Sequence, residues 1–487
     1  MGAAAPGAAS PTAASPGAPT PAWAALAVGL LVGGMTALRV ALAARLPLIH
    51  DEAYYWLWAR RLDWSYVDHP PLVAWLLALT RPLGDAAVWV RLPAVALGLG
   101  TTWALYLLAR DLFGARAGLR AVVLFQVAPV LGAGGLMMTP DAPMYLAWAV
   151  ALRLAWAALN GRPRRWAGAG AAIGLALLGK LYAVTLGTGV AAYLLASDRA
   201  WLRRREPYIA AALAALVLAP VVYWNIVHDW AALRFLVYYR TEIGAPPGAG
   251  AYGRLLTQHL PLVLFLLPAF AWALWTTWTR RQDRTWAFLF WTALPAVVAP
   301  FLVAPLGAAR GHWMGPAYLG LAVALAGLWR WWVTALALAN AAVLAAFAAV
   351  VLLPWGPVVP GAREFYGWKE AGERAAAVAA RLGPAAVIVA DRYQVAAQLG
   401  YHTRDRVPVV LLPEAPPGSI WPAAAAYAGR PGVVVTYAPE RFSLEGCLEG
   451  VEGLPSLSID LKGRAIQEFR LFTFSRLKPG CIGSVTP

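Results

Sequence analysis

Two adjacent acidic residues, Asp51 and Glu52, directly follow the first long apolar run of the chain. Neighbouring side chains on a helix point in different directions, so we do not expect these carboxylates to act as a matched pair. One of them could serve as a general base while the other orients it or binds a cation. A structural role is the alternative, because the dipole of a helix favours acidic residues in its first turn. Periodicity alone leaves both interpretations open.

The same loop, residues 45–86, carries a second polar cluster. Asp68 and His69 stand immediately before Pro70 and Pro71. His69 could bind a phosphate group or a metal ion, and Asp68 is a second candidate metal ligand. Alternatively, the cluster is a turn in which Asp68 caps the helix that begins after the prolines. The sequence predicts two short helices in this loop, one starting at the acidic pair and one after the prolines.

Later connections between apolar runs add another acid and several cations. Asp141 lies in MMTPDAPMY between two apolar runs, where an N-cap role is also plausible. Lys180 interrupts a long apolar stretch, where an amine has few structural uses. Arg240, Arg310 and His312 follow in later connections, and each alone also fits interfacial anchoring. Together, these cations and the acids of the first loop could hold an anionic lipid-linked substrate and deprotonate an acceptor.

The composition identifies the elements that must position these groups. The chain has 487 residues, of which 60% are hydrophobic and 13% charged, against about 25% charged in a soluble domain. This indicates a multi-pass membrane protein. The net charge of +16 comes from short basic clusters between apolar runs. That distribution follows the positive-inside rule and gives no single patch for nucleic acid, which we exclude as a partner.

Eleven membrane-spanning helices are predicted, because most of the apolar runs approach the ~20 residues that cross a bilayer. A lysine at the bilayer centre costs at least ~2.5 kcal/mol, so the stretch 166–196 is predicted to be two short helices with Lys180 at the turn between them. The predicted spans are 22–44, 87–109, 118–137, 142–159, 166–180, 181–196, 207–224, 256–279, 285–305, 313–329 and 332–353.

The ends of the chain differ from this membrane region, residues 22–353. Residues 1–21 consist mainly of Ala, Pro, Gly, Ser and Thr, which predicts a disordered cytoplasmic tail. Residues 354–487 alternate amphipathic helices with short buried strands, which predicts a small α/β domain. The arginine distribution places this domain and the first loop outside the cytoplasm. There the two cysteines, Cys447 and Cys481, could form a disulfide or remain buried thiols.

Four motifs in order resemble a known family: LIHDEAYYWLWARRLDWSYVDHPPLVAWL, TPDAPMY, GLALLGKLYAV and PVVYWNIVHDW. They are similar to the dolichyl-phosphate-mannose–protein mannosyltransferase-like enzymes of the C-type glycosyltransferase fold, with relatives similar to the aminoarabinose transferase of lipid A. The resemblance covers about residues 23–240. It implies an inner-membrane enzyme that uses a polyprenyl-phosphate sugar donor, with its active site on the extracytoplasmic side.

The resemblance also implies roles for individual residues. Asp51 matches the acid that deprotonates the acceptor, Glu52 completes that motif, and Asp141 matches a second outer acid. Lys180 matches a lysine that binds the donor phosphate, and Arg240 matches an outer arginine. His69 stands where relatives have a lysine, so a titratable group replaces a permanent cation.

The chemistry expected from these roles is an inverting single displacement. Lys180 and outer arginines, including Arg310, would stabilise the departing polyprenyl phosphate while a glycolipid, polysaccharide or protein attacks the sugar. A divalent metal ion could bridge phosphate and carboxylate. The alternative function is a transporter or flippase of lipid-linked sugars, for which inverted repeats and polar groups at the bilayer midplane would be expected.

Overall fold

The computed structural model describes residues 22–236, 248, 250–306, 309–352, 361–412, 418–437 and 446–479. Its first part, up to Leu352, is helical, and its last part combines two helices with short strands. This is the predicted fold class, a polytopic helical protein with a small C-terminal α/β unit. The predicted tail 1–21, Arg240 and Cys481 lie outside the described residues, so the disorder of the tail stays a prediction. Cys447 is disulfide-bonded, which is one of the two states that the sequence left open.

Each predicted apolar run is mainly helical where it is described, because a backbone inside the bilayer has no water to bind and a helix satisfies its hydrogen bonds internally. The helices are α1 Ala22–Arg45, α2 His50–Trp58, α3 Leu72–Thr80, α4 Ala87–Phe113, α5 Ala115–Val127, α6 Pro129–Gly132, α7 Asp141–Leu159, α8 Arg165–Gly179, α9 Val184–Ser197, α10 Glu206–Val227, α11 Ala231–Arg234, α12 Gly250–Val263, α13 Leu267–Thr279, α14 Arg284–Val303, α15 Ala317–Gly327, α16 Trp331–Leu352, α17 Trp368–Leu382 and α18 Tyr393–His402.

The number of helices long enough to cross a membrane is lower than the predicted eleven. Within the described ranges, seven helical segments meet the length and hydropathy of a span, and a bent pair would make eight. The predicted spans at 166–180, 181–196 and 313–329 form shorter helices. At 1.5 Å per residue, the 11 residues of α15 extend only about 16 Å, roughly half of a ~30 Å hydrocarbon core.

Two breaks within apolar stretches place polar groups. The helix ends at Gly179, and Lys180 has an extended backbone (φ −157°, ψ 127°), as predicted for the turn between two short helices. The run 118–137, predicted as one span, instead bends by 83° between Val127 and Pro129. The residue before a proline is disfavoured in the helical region, and Ala128 accordingly has an extended backbone.

The C-terminal unit has a mixed sheet. Its strands are β1 Val387–Ala390, β2 Val409–Leu411, β3 Gly432–Thr436, β4 Leu448–Glu449, β5 Glu452–Gly453, β6 Leu457–Leu461, β7 Arg464–Phe474 and β8 Arg476–Leu477. The order of the main sheet is β2-β1-β3-β7-β5, with β1 parallel to β2 and β3, and with β7 antiparallel to β3. β6 also pairs with β7, and β4 pairs with β8.

Both predicted helices of the first loop are present, as α2 and α3, and α2 is buried beneath the C-terminal unit. Tyr54, Tyr55 and Trp58 of α2 belong to one apolar cluster with α17, α18 and one face of the sheet. Gly400 of α18 comes so close to α2 that an added Cβ would lie 3.1 Å from Leu57. The C-terminal unit therefore packs directly on the loop that carries the acidic pair.

Candidate functional site

Predicted acids from two connections, the first loop and the segment before α7, act on one tyrosine, Tyr55. Burial raises the pKa of Tyr55 well above its ordinary value, and the charges of Asp51, Tyr393, Asp68 and Asp141 raise it further. A hydroxyl with a raised pKa stays neutral at physiological pH. The fold thus brings together acids that are up to 90 residues apart in sequence (51 to 141).

Asp51 lies in the first turn of α2 and has a half-exposed side chain, with 38% of its surface accessible. Its Oδ1 atom is 3.3 Å from the hydroxyl of Tyr393, which donates a hydrogen bond, and 3.6 Å from Nε2 of His50. The side chain therefore combines solvent access with fixed neighbours. Both properties suit a group that accepts a proton from a substrate.

Glu52 points the other way, as the helical geometry of the pair predicts. It is fully buried and paired with Arg91, whose Nε donates to Oε1 over 2.8 Å. The backbone N–H groups of Met138 and Ile49 donate to the same carboxylate at 3.1 and 3.2 Å. All of these partners belong to the protein scaffold, so we infer that Glu52 positions the loop and does not contact the substrate.

Arg91 also binds the residues that directly follow the first helix, α1. Its guanidinium donates to the carbonyl oxygens of Leu46 and Pro47 at 2.7 and 2.9 Å. The side chain is 1% exposed. A buried charge pair of this kind fixes the residues on either side of Asp51, because every donor has a defined acceptor.

Asp68 and His69 lie beside the two tyrosines of α2. Burial, followed by the charge and hydrogen bond of Asp68, raises the pKa of Tyr54 well above its ordinary value. The ring centroid of His69 is 6.3 Å from that of Tyr55. Within the described part of the chain, no three His, Cys, Asp or Glu side chains are grouped to bind a metal ion. Metal binding by Asp68 and His69 therefore stays a prediction.

Asp141 and Lys180 form a two-pronged ion pair. Nζ of Lys180 is 2.9 Å from both carboxylate oxygens of Asp141, and the lysine is 5% exposed. The break after α8 brings Lys180 to this position, and Asp141 is the first residue of α7. His312 lies close enough to Asp141 for their charges to interact. This arrangement holds the buried Lys180 ammonium group in a fixed position against a carboxylate.

Two arginines, Arg240 and Arg310, were also predicted to face the donor phosphate. Arg310 is exposed and lies two residues before His312. Arg240 falls in a segment that the structure does not describe. Their assignment to the donor phosphate stays a prediction.

Two residues of the C-terminal unit contact the start of α2, and the sequence did not predict either of them as a site residue. Tyr393 contacts Asp51, and Oε2 of Glu364 is 3.0 Å from Nδ1 of His50. Nothing in their local sequence marks them, because Tyr393 and Asp51 are 342 residues apart. Only the packing of α18 on α2 brings them together.

Comparison with known proteins identifies the fold and the family resemblance. The family described as dolichyl-phosphate-mannose-protein mannosyltransferase matches residues 68–224. The lipid A galacturonosyltransferase RgtD of Rhizobium johnstonii is 28% identical over 373 residues, which are 73% of this chain and 77% of RgtD. The resemblance recognised from the sequence motifs is thereby confirmed.

Solved structures of ArnT from Cupriavidus metallidurans share the architecture. The apo form has a TM-score of 0.68 at 16% identity and covers 93% of this chain and 98% of ArnT. The form bound to undecaprenyl phosphate has a TM-score of 0.63 at 16% identity and covers 92% of this chain and 97% of ArnT. The chain is a multi-pass membrane protein with the C-type glycosyltransferase fold.

Proposed function

We propose that this membrane glycosyltransferase moves a sugar from a polyprenyl-phosphate carrier to an acceptor at the outer face of the inner membrane. One observation carries the proposal. A half-exposed carboxylate, Asp51, and Asp141, the ion-pair partner of the buried cation Lys180, both act on the same tyrosine, Tyr55, in a chain of this fold. A displacement at a sugar carbon needs both a carboxylate to receive a proton and a cation to face the departing phosphate.

The residues act in one step. Asp51 accepts the proton of the acceptor hydroxyl or amine as that group attacks the anomeric carbon from the side opposite the phosphate. The bond between the anomeric carbon and the phosphate oxygen breaks, and the electron pair leaves with polyprenyl phosphate. Lys180 faces the developing charge, with Arg240 and Arg310 as further cations. The configuration at the anomeric carbon is inverted.

The relatives suggest the substrates. RgtD acts on lipid A by its name, and one ArnT structure holds undecaprenyl phosphate. We therefore propose a lipid A-like glycolipid as the acceptor and a polyprenyl phosphate carrying a hexose, a uronic acid or a pentose as the donor. The arginine distribution supports placing the active site and the C-terminal unit on the extracytoplasmic side.

The test is a transfer assay with the purified protein in lipid vesicles. Polyprenyl phosphates carrying galacturonic acid, mannose or a pentose are supplied with lipid A, and products are identified by mass spectrometry. Glycosylated lipid A together with free polyprenyl phosphate is the expected result for one donor. Movement of an intact lipid-linked sugar between leaflets, without transfer, would instead establish the transporter alternative.

A further inference from the structure

The C-terminal unit reaches the proposed base through the start of α18. Tyr393 opens this helix directly after β1, at the carboxyl end of a strand with parallel neighbours on both sides. In α/β sheets this edge is where functional groups usually gather. Here the edge faces the first loop, because the hydroxyl of Tyr393 is 3.3 Å from Oδ1 of Asp51.

The two residues before Tyr393 are held in place by contacts with the sheet. Asp391, just after β1, is 7% exposed and accepts a hydrogen bond from Oγ1 of Thr436 on β3 at 2.8 Å. Its carboxylate also pairs with Arg392 at 3.2 Å. The guanidinium of Arg392 lies 4.7 Å from the ring centroid of Tyr437. These contacts tie the two residues that precede α18 to the end of β3.

The same helix is fixed to the first loop at two further points. Nε2 of Gln398 donates to the carbonyl of Leu48 at 2.8 Å. The hydroxyl of Tyr401 donates to the carbonyl of Asp85 at 2.7 Å. With both ends held, α18 presents the hydroxyl of Tyr393 to Asp51 in a defined direction.

A second contact from the C-terminal unit acts through His50. Glu364 binds Nδ1 of His50 at 3.0 Å, which turns Nε2 of the ring towards Asp51. Both described contacts of the Asp51 carboxylate, from Tyr393 and from His50, are made with Oδ1. The other oxygen, Oδ2, is then the one available to receive a proton from the acceptor.

We propose that Tyr393 is a positioning residue, by which the C-terminal unit orients the Asp51 carboxylate. The inference rests on the proposed function, in which Asp51 is the base. The charged and titratable groups that face Asp51 are His50, Tyr55 and Tyr393, with Glu364 acting through His50 and with Asp68 and Asp141 nearby. The C-terminal unit thereby takes part in catalysis without touching the reacting atoms.

The decisive variant is Tyr393→Phe, and Tyr401→Phe is its matched control. Each removes one hydroxyl from α18 that donates to the first loop, but only the first donates to Asp51. Transfer is measured over a range of donor concentrations, which gives kcat and the KM for the donor, and unfolding midpoints are measured beside it. Tyr393→Phe should lower kcat about tenfold, the usual scale for one charge-assisted hydrogen bond.

The comparison of kcat with the KM for the donor separates positioning from simple packing. Without the hydroxyl of Tyr393, the Asp51 carboxylate loses its orientation towards the acceptor, so Tyr393→Phe should lower kcat and leave the KM for the donor unchanged. Glu364→Gln should also lower kcat, since His50 loses the hydrogen-bond partner that turns Nε2 of its ring towards Asp51. Tyr401→Phe should leave both constants unchanged.

Two results would overturn the inference. If the wild type transfers sugar and Tyr393→Phe matches Tyr401→Phe in kcat and in the KM for the donor, Tyr393 does not position the base. If the wild type transfers no sugar from any donor of the panel to lipid A, the proposed function fails, and this inference fails with it.

Discussion

At the scale of single residues, the two neighbouring acids lie in different environments, although the sequence left their roles open. Asp51 is half exposed with contacts to one oxygen, whereas Glu52 is fully buried with Arg91. The divergence follows from helix geometry, about 100° between successive side chains, and was predictable from the sequence. Which of the two faces the scaffold was not predictable, because it depends on Arg91, 39 residues away.

Glu52→Gln should destabilise the protein. Removing one partner of a buried ion pair leaves the Arg91 charge uncompensated and typically costs about 3–5 kcal/mol. Asp51→Asn is the matched control, because it changes a half-exposed carboxylate in the same helical turn and should leave the unfolding midpoint unchanged. Thermal unfolding in detergent measures both. A stable Glu52→Gln protein without transferase activity would contradict the scaffold role and favour catalysis.

At the scale of helices and strands, the sequence predicted the elements better than their interruptions. The break at Lys180 was predictable, because a lysine within an apolar run is costly. The bend at Ala128 was missed although Pro129 signals it, since the hydrophobic run continues across it. Strands β4, β5 and β8 have two residues each, too few for a period-2 pattern to appear.

The crossing of α8 and α10 depends on a glycine. A Cβ at Gly170 would overlap the backbone of Ala210, including its carbonyl oxygen. Small residues allow membrane helices to approach this closely.

Gly170→Ala should therefore lower the unfolding midpoint, by overpacking of about 1–3 kcal/mol. Gly187→Ala, in α9, is the control, because nothing lies within 4 Å of its added Cβ. This control should be neutral or raise stability by up to ~1 kcal/mol, the helix propensity difference. Equal midpoints for the two variants would show that the α8–α10 contact is looser than described.

At the scale of the whole molecule, the C-terminal unit packs on the first loop next to the candidate site. The apolar cluster that joins them includes α2, α17 and α18. The sequence predicted an α/β unit but not this docking, because the contacts join residues more than 300 positions apart. The polar contacts between the C-terminal unit and the first loop include the ion pair between His50 and Glu364.

This ion pair should make stability depend on pH. Burial alone would lower the pKa of His50, but the hydrogen bond to Glu364 and the charges of Asp51 and Glu364 raise it above 6.5. The hydrogen bond with His50 lowers the pKa of Glu364 below 4.5. The pair therefore contributes fully between pH 4.5 and 6.5. Its contribution declines as pH rises through the raised pKa of His50 or falls through the lowered pKa of Glu364.

Glu364→Gln tests this dependence. The difference in unfolding midpoint from the wild type should be largest between pH 4.5 and 6.5 and should shrink above that range. The half-exposed pair is expected to contribute less than about 1 kcal/mol. Glu373→Gln removes an exposed pair with Lys369 on α17 and serves as the control. A difference that grows at alkaline pH would contradict the assigned charge states.

The most direct test of the whole account is the turnover of Asp51→Asn with the donor that the wild type uses. The amide keeps the size of the side chain but cannot accept the acceptor's proton, so sugar transfer to lipid A should be lost. Binding of polyprenyl phosphate should remain, because Lys180 and Asp141 are unchanged. Loss of transfer with retained binding and an unchanged unfolding midpoint is the predicted result. Transfer at the wild-type rate by Asp51→Asn would contradict the assignment of Asp51 as the base.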